Sequence, residues 1–298
     1  MKQLFRKIRS IDWRTYPIEA INDMFIEFEE VPYMVTDYHD GKIIHRVRPL
    51  KVNEVVNTVD GLKYKPQDAN TTYQRASTPR QTMFYGSVIS EDEDSETLSS
   101  PRNTSAMESC HLLRNPKLDG KQKLLYGKWK VNSTISLITV LFTKYRNAKN
   151  VWIKNLSEAF YQNICGYNYE QQKKFRRVNN FISDEYSKFV GEEEDYKYLV
   201  SSLFNEGVIE NGFDGVLYPS VRTMRRGMNV AIIPSNVEDK MDLISVLECE
   251  VHKRGKKVIL NNLRYCDVPE GSIGFELQDI VDPELRFSDI QIENFLNS

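Results

Sequence analysis

The chain has 298 residues, 40% of them hydrophobic and 11% aromatic, which fits a folded core rather than a disordered tail. At this length it forms one large domain or two small ones and buries roughly 75% of its unfolded surface. Its 40 basic and 42 acidic residues leave a net charge of −2, so bulk electrostatics give no argument for nucleic acid, and no apolar run approaches the length of a membrane span.

The first nine residues are basic but lack the apolar stretch of a signal peptide, so a cytoplasmic location is expected. Cys110, Cys165, Cys249 and Cys266 are widely separated and form no Cys-x-x-Cys pair, which reads as reduced thiols. His39, His45, His111 and His252 show no metal-ligand spacing, and no metal is expected.

Ile18, Ile21, Met24, Phe25 and Phe28 recur at helical spacing and predict a short amphipathic helix within 11–30. Residues 42–48 alternate as a strand stopped by Pro49, and 82–88 read as another. The acidic run Ser90–Glu96, followed by Ser99-Ser100-Pro101, predicts an exposed loop. A helix is expected to start at Asn103, placing Glu108 in its first or second turn. Residues 129–141 are the most β-prone stretch and predict one long strand.

Three helices follow at 151–164, 168–190 and 195–206. The second carries a core-facing stripe of Phe175, Val178, Phe181, Ile182, Tyr186 and Phe189. Strands are expected at 216–221 and 229–233, the latter ending at Pro234. Beyond it, 243–251 and 257–260 read as strands and 269–272 as a turn, giving a β-rich appendage. Strands interleaved with clustered helices indicate an α+β fold, and the absence of a Gly-x-Gly-x-x-Gly run leaves a Rossmann reading without support.

Three segments place polar side chains at the edge of apolar elements: Gln74–Tyr85, Thr104–Glu108 and Phe213–Arg222. They supply Arg75, Tyr85, Glu108 and Ser220; Arg46 precedes them and Asn229 follows. Taken singly, each has an ordinary explanation. The arginines suit surface ion pairs, Tyr85 a core, Glu108 a helix-start carboxylate and Ser220 a turn.

Taken in order, they resemble the RES domain, a family named for its Arg, Glu and Ser. Arg75 and Tyr85 flank a Ser-Thr-Pro turn, as the family's arginine and strand-borne tyrosine do. Ser105-Ala106-Met107-Glu108 resembles the helix start that carries the family glutamate. Asp214-Gly215-Val216-Leu217-Tyr218-Pro219-Ser220 resembles the family's Asp-Gly-Ile-x-Tyr-Pro-Ser segment, with an Asn229-led strand after it. Arg46 matches a further arginine near the start of the domain. The resemblance covers 43–235, flanked by an N-terminal helical extension at 1–42 and a β-rich C-terminal extension at 236–298. Two departures stand out: the acidic run lengthens the Tyr85–Glu108 separation, and the turn after Arg75 lacks the usual glycine.

The resemblance implies an ADP-ribosyltransferase-like split β-sheet core and an NAD-degrading bacterial toxin or defence effector. Its reaction would cleave the nicotinamide–ribose bond, with water or phosphate as acceptor and NAD as substrate, without cofactor or metal. Nicotinamide is already a cationic leaving group, so the demand is a carboxylate beside an oxocarbenium-like ribosyl centre, here Glu108. Arg75 and Arg46 would hold the diphosphate, Tyr85 would face the nicotinamide, and Ser220 would hold an amide or ribose hydroxyl, with Asn229 among the NAD-binding residues. An antitoxin or regulatory protein is the implied partner, while 1–40 and 236–298 lie open to regulation or self-association. An ADP-ribosyltransferase acting on a macromolecule and a non-catalytic NAD-binding module are the alternative readings.

Overall fold

A computed structural model describes residues 6–8, 10–28, 30–88, 100–141, 151–191 and 193–298. The acidic run Ser90–Glu96 and most of the basic N-terminus lie outside the described residues. The fold is α+β: one large, mostly antiparallel, open sheet with helices around it.

In chain order the strands are β1 Met34–Tyr38, β2 Ile43–Pro49, β3 Phe84–Val88, β4 Gly120–Val131, β5 Ile135–Thr139, β6 Gly215–Pro219, β7 Met228–Ile232, β8 Met241–Arg254, β9 Lys257–Asp267 and β10 Gln278–Asp279. Across the sheet they run β1-β5-β6-β7-β3-β2-β4-β8-β9-β10. All described pairs are antiparallel except β5 with β6, where Gly215–Leu217 run parallel to Leu137–Thr139. The β2–β3 ladder is a single registered pair, His45 with Ser87. Beyond it the two strands separate.

The helices are α1 Ile18–Ile26, α2 Pro101–Ser109, α3 His111–Arg114, α4 Val151–Ile164, α5 Tyr169–Tyr186, α6 Leu199–Glu210, α7 Pro234–Lys240 and α8 Asp289–Asn297. Strand alternation splits the core between the two faces. Ile138, Val216, Tyr218 and Ala231 pack with Met24, Phe160, Phe175, Ile182 and Phe204 from α1, α4, α5 and α6. Their sequence neighbours Leu137, Leu217, Val230 and Ile232 join Phe84, Trp129, Leu243 and Val246 in a second cluster.

Several expectations are corrected. The long strand at 129–141 is two strands, because Asn132-Ser133-Thr134 turn the chain between β4 and β5, and β4 starts at Gly120. Helix α2 starts at Pro101, with Ser100 as its cap: the Ser100 hydroxyl accepts from the Asn103 N–H at 3.2 Å and Pro101 gives up no needed donor. Glu108 therefore sits in the last turn, where the helix dipole disfavours a carboxylate. Helix α5 stops at Tyr186, so Phe189 leaves the core stripe and is 64% exposed. Ile18 is also exposed, although Ile21, Met24 and Phe28 are buried. Residues 34–38, read as part of a helical extension, form the sheet-edge strand β1.

The C-terminal segment joins the same sheet through the long β4–β8 ladder. Among the described residues no helix is long and apolar enough to cross a membrane, and no cluster of three or more His, Cys, Asp or Glu side chains could hold a metal. The four cysteines are free of disulfides.

Candidate active site

A cleft of about 1040 Å³ opens where β2 and β3 part, and the end of α2 and the loop after β6 form part of its wall. The sheet supplies one patch by period-two alternation: Tyr85 lies opposite Ala231, Ser87 opposite Asn229, and Tyr218 opposite Asn229. Tyr85, Ser87, Asn229 and Tyr218 therefore share a face and all line the cleft.

The loop after β6 is pressed onto α2 at Gly227. A Cβ there would lie 2.0 Å from the Thr104 hydroxyl oxygen, so any side chain would push the loop away. This contact seats Ser220 beside Glu108. The Ser220 hydroxyl accepts from the Thr223 N–H at 3.2 Å and donates to Glu108 Oε1 at 2.6 Å. Asn229 Nδ2 donates to the same oxygen at 3.0 Å, while its Oδ1 accepts from the Ser87 hydroxyl at 2.8 Å. The Ser87 bond settles which end of the amide faces the carboxylate. Ser87, Ser220 and Asn229 are all buried. Glu108 Oε2 has no protein partner among the described residues and is not sealed from the cleft. Both donors thus converge on one oxygen and leave the other open.

Among the described residues, six cationic side chains line the cleft: Arg46, Arg48, Lys65, Arg75, Arg114 and Arg222. Among the described lining residues, only Glu108 and Asp195 carry carboxylates. Asp195 is committed, since it accepts from the Tyr16 hydroxyl at 2.5 Å and from the Tyr73 N–H at 3.1 Å. That bond, more than burial, raises the Tyr16 phenol to about 12. Glu108 is therefore the one acid among the described lining residues with an oxygen to offer a ligand. A site with this charge balance suits an anionic ligand that develops positive charge at one point.

Arg75, Tyr85 and Arg46 line the same cleft but bond largely to the protein. Arg75 is buried; its Nη1 donates to the Tyr186 carbonyl and its Nη2 to the Lys188 carbonyl at 3.1 Å, so it caps the end of α5. Its guanidinium lies 5.2 Å from the Tyr198 ring centroid. The Tyr85 hydroxyl accepts from the Ala76 N–H at 3.1 Å and is bonded to the Ser77 hydroxyl at 2.7 Å, tying the Arg75 turn to β3. Burial raises that phenol to about 12, so it stays neutral. Arg46 Nη1 donates to the Tyr85 carbonyl at 2.8 Å across the parted strands, and its Nε is buried without a partner among the described residues. Burial, followed by the charge of Arg48, lowers Arg46 to about 10.

The remaining motif residues serve the frame. Asp214 accepts from the Ser136 N–H at 2.8 Å, Asn236 Nδ2 at 2.5 Å and Lys240 Nζ at 3.1 Å, locking β5, β6 and α7 together. Gly215 has φ +146°, and a Cβ would meet the Ala231 carbonyl oxygen at 1.9 Å. The turn that lacks a glycine places Arg80 at φ 65°, held by its N–H on the Asn70 carbonyl at 2.7 Å.

Sequence reasoning missed Ser87 and Arg222. Ser87 lies two residues after Tyr85 on one strand, so alternation alone puts it on the site face. Arg222 lies two residues after Ser220, in a loop whose consecutive residues Met224 and Arg225 have φ 54° and 64°. Backbone held in this region clusters at functional sites. No protein-family model matches the chain, and no curated protein matches it in sequence.

Proposed function

We propose that this protein cleaves NAD at the bond between nicotinamide and ribose. The observation carrying the reading is Glu108, with Oε1 held by Ser220 and Asn229 and Oε2 free toward a cationic cleft. In the reaction the C1′–N bond breaks and its electron pair leaves with the pyridinium nitrogen, giving neutral nicotinamide. Positive charge builds on the ribosyl carbon and ring oxygen, where the Glu108 carboxylate stabilises it. Water or phosphate then forms the new C1′–O bond; when water is the acceptor, it releases a proton.

The two donors hold the carboxylate in place before the substrate arrives, so little reorganisation accompanies the charge development. The cationic lining offsets the negative charge of the diphosphate. The parting of β2 from β3 agrees with a split-sheet, ADP-ribosyltransferase-like core, which we adopt as part of the reading. So does the gathering of Arg46, Arg75, Tyr85, Glu108, Ser220 and Asn229 around one cleft. A cytoplasmic enzyme of this kind would deplete its own cell, so we add a restraining protein partner to the proposal.

The test is incubation of the pure protein with NAD and analysis of the products. Free nicotinamide with ADP-ribose or its 1″-phosphate supports the reading. ADP-ribose attached to an added macromolecule would make the protein a transferase. No turnover would leave a binding module and remove the proposal.

A further inference from the structure

The arginines that the sequence assigns to a diphosphate are largely committed to the protein. Arg75 donates through both terminal nitrogens to the end of α5 and Arg46 donates to the Tyr85 carbonyl; Arg48, which the sequence did not single out, pairs with Glu54 and the Gly61 carbonyl. Arg222 differs. It is partly buried, yet among the described residues no hydrogen bond or ion pair engages its guanidinium. Its guanidinium carbon lies over the Phe189 ring, whose centroid is 5.2 Å away.

A partly desolvated arginine without a directly bonded acid is unusual, because its N–H groups lose water and no described protein acceptor replaces it. Burial lowers its pKa, and Arg114 and Arg75 push the same way, while Glu108 opposes them. Stacking on Phe189 supports the flat face of the guanidinium and leaves its in-plane N–H groups available. It also accounts for Phe189, a large aromatic at 64% exposure beside the cleft. The loop is fixed relative to Glu108: the Arg225 N–H donates to the Ser220 carbonyl at 2.7 Å, and Ser220 is bonded to Glu108.

We propose that Arg222, seated on Phe189 and backed by Arg114 in the same cleft, is the guanidinium that takes a diphosphate bidentately, while Arg75 holds the cleft wall. The assignment rests on the NAD reading for its substrate but on the free fork for its chemistry.

Calorimetric titration of the full chain with ADP-ribose, inorganic pyrophosphate and the phosphate-free nicotinamide riboside tests it. Arg222→Lys keeps the charge but loses the fork, and Arg222→Ala loses both. Each should weaken ADP-ribose and pyrophosphate about tenfold to a hundredfold, as expected for charge-assisted bonds, with nicotinamide riboside and the melting temperature unchanged. Parent-like affinity of Arg222→Ala for both diphosphates overturns the assignment, as does a parent protein that binds neither. The two proposals separate cleanly. Loss of pyrophosphate binding in Arg222→Ala, in a parent that never cleaves NAD, keeps the diphosphate site and removes the NAD reading. NAD cleavage with unchanged diphosphate binding in Arg222→Ala does the reverse.

Discussion

On the wall formed by α2 and the loop after β6, the Ser220 and Asn229 donors aim at one oxygen of Glu108 and leave its neighbour exposed to the cleft. Around Arg75 the direction is inverted: the guanidinium aims at the carbonyls of Tyr186 and Lys188, and Tyr85 at the turn that carries Arg75. Both regions carry side chains that a motif would call functional. One arrangement holds a charge ready for a ligand, and the other holds the chain. The difference lies in where the polar atoms point rather than in residue type.

The sharpest break between the two regions is Glu108→Gln. The amide oxygen can still accept from Ser220 and Asn229, but the charge is gone, so NAD turnover should fall about 10²–10³-fold with an unchanged melting temperature. Nicotinamide release and a thermal melt measure both. Turnover within a few-fold of the parent would remove Glu108 from the chemistry.

Arg75→Lys should behave differently. A lysine cannot bond both carbonyls at the end of α5, so unfolding free energy should drop by about 1–3 kcal/mol, with activity falling alongside. Urea unfolding reads the first and NAD turnover the second. If activity fell while stability held, Arg75 would belong with the ligand and the contrast between the walls would collapse.

His45, the register partner of Ser87, gives a pH signature. Burial, then the charges of Lys128 and Arg102, lower it from 6.5 to about 4. Between those values the unfolded chain takes up a proton that the folded one refuses. Its contribution is therefore complete above pH 6.5 and is lost as pH falls toward 4. The size is on the order of 3 kcal/mol. Melting His45→Gln beside the parent across this window should show a shallower decline in the variant, and parallel curves would count against the neutral, partly buried imidazole.

The smallest effect is expected at Arg80. Its left-handed φ of 65° strains a residue with a Cβ, so Arg80→Gly should stabilise the protein by up to about 1 kcal/mol. A destabilised variant would show that the arginine side chain supports the turn.

Much of the local structure was legible because it is encoded locally. The apolar spacing of Val151–Ile164 gives α4 residue for residue, and alternation finds β2, β3, β6 and β7 to within a residue or two. What failed depends on distant contacts. The stripe through Phe189 continues past the true end of α5, because Arg75, over a hundred residues earlier, caps the carbonyl of Tyr186. Helix α2 starts two residues before the expected Asn103 because Ser100-Pro101, which closes an acidic loop-like run, is itself a helix-start signal. The candidates Glu108, Ser220 and Asn229 were named from the sequence. Their sharing of a single oxygen, and the free fork of Arg222, arise only once three separate segments meet.

The place of β8 in the sheet has a consequence for how the protein is made. Asn229 lies on β7, between β6 and β3, so the carboxylate has its full set of donors only after the chain has been synthesised beyond that strand. Even then β4 is bare along one side until β8 pairs with it from Met241 to Lys253. A bare strand edge invites pairing with other chains. A nascent chain emerging from the ribosome thus has no assembled cleft until most of its length is out, and a chain cut short before β8 displays a sticky edge in place of a finished sheet.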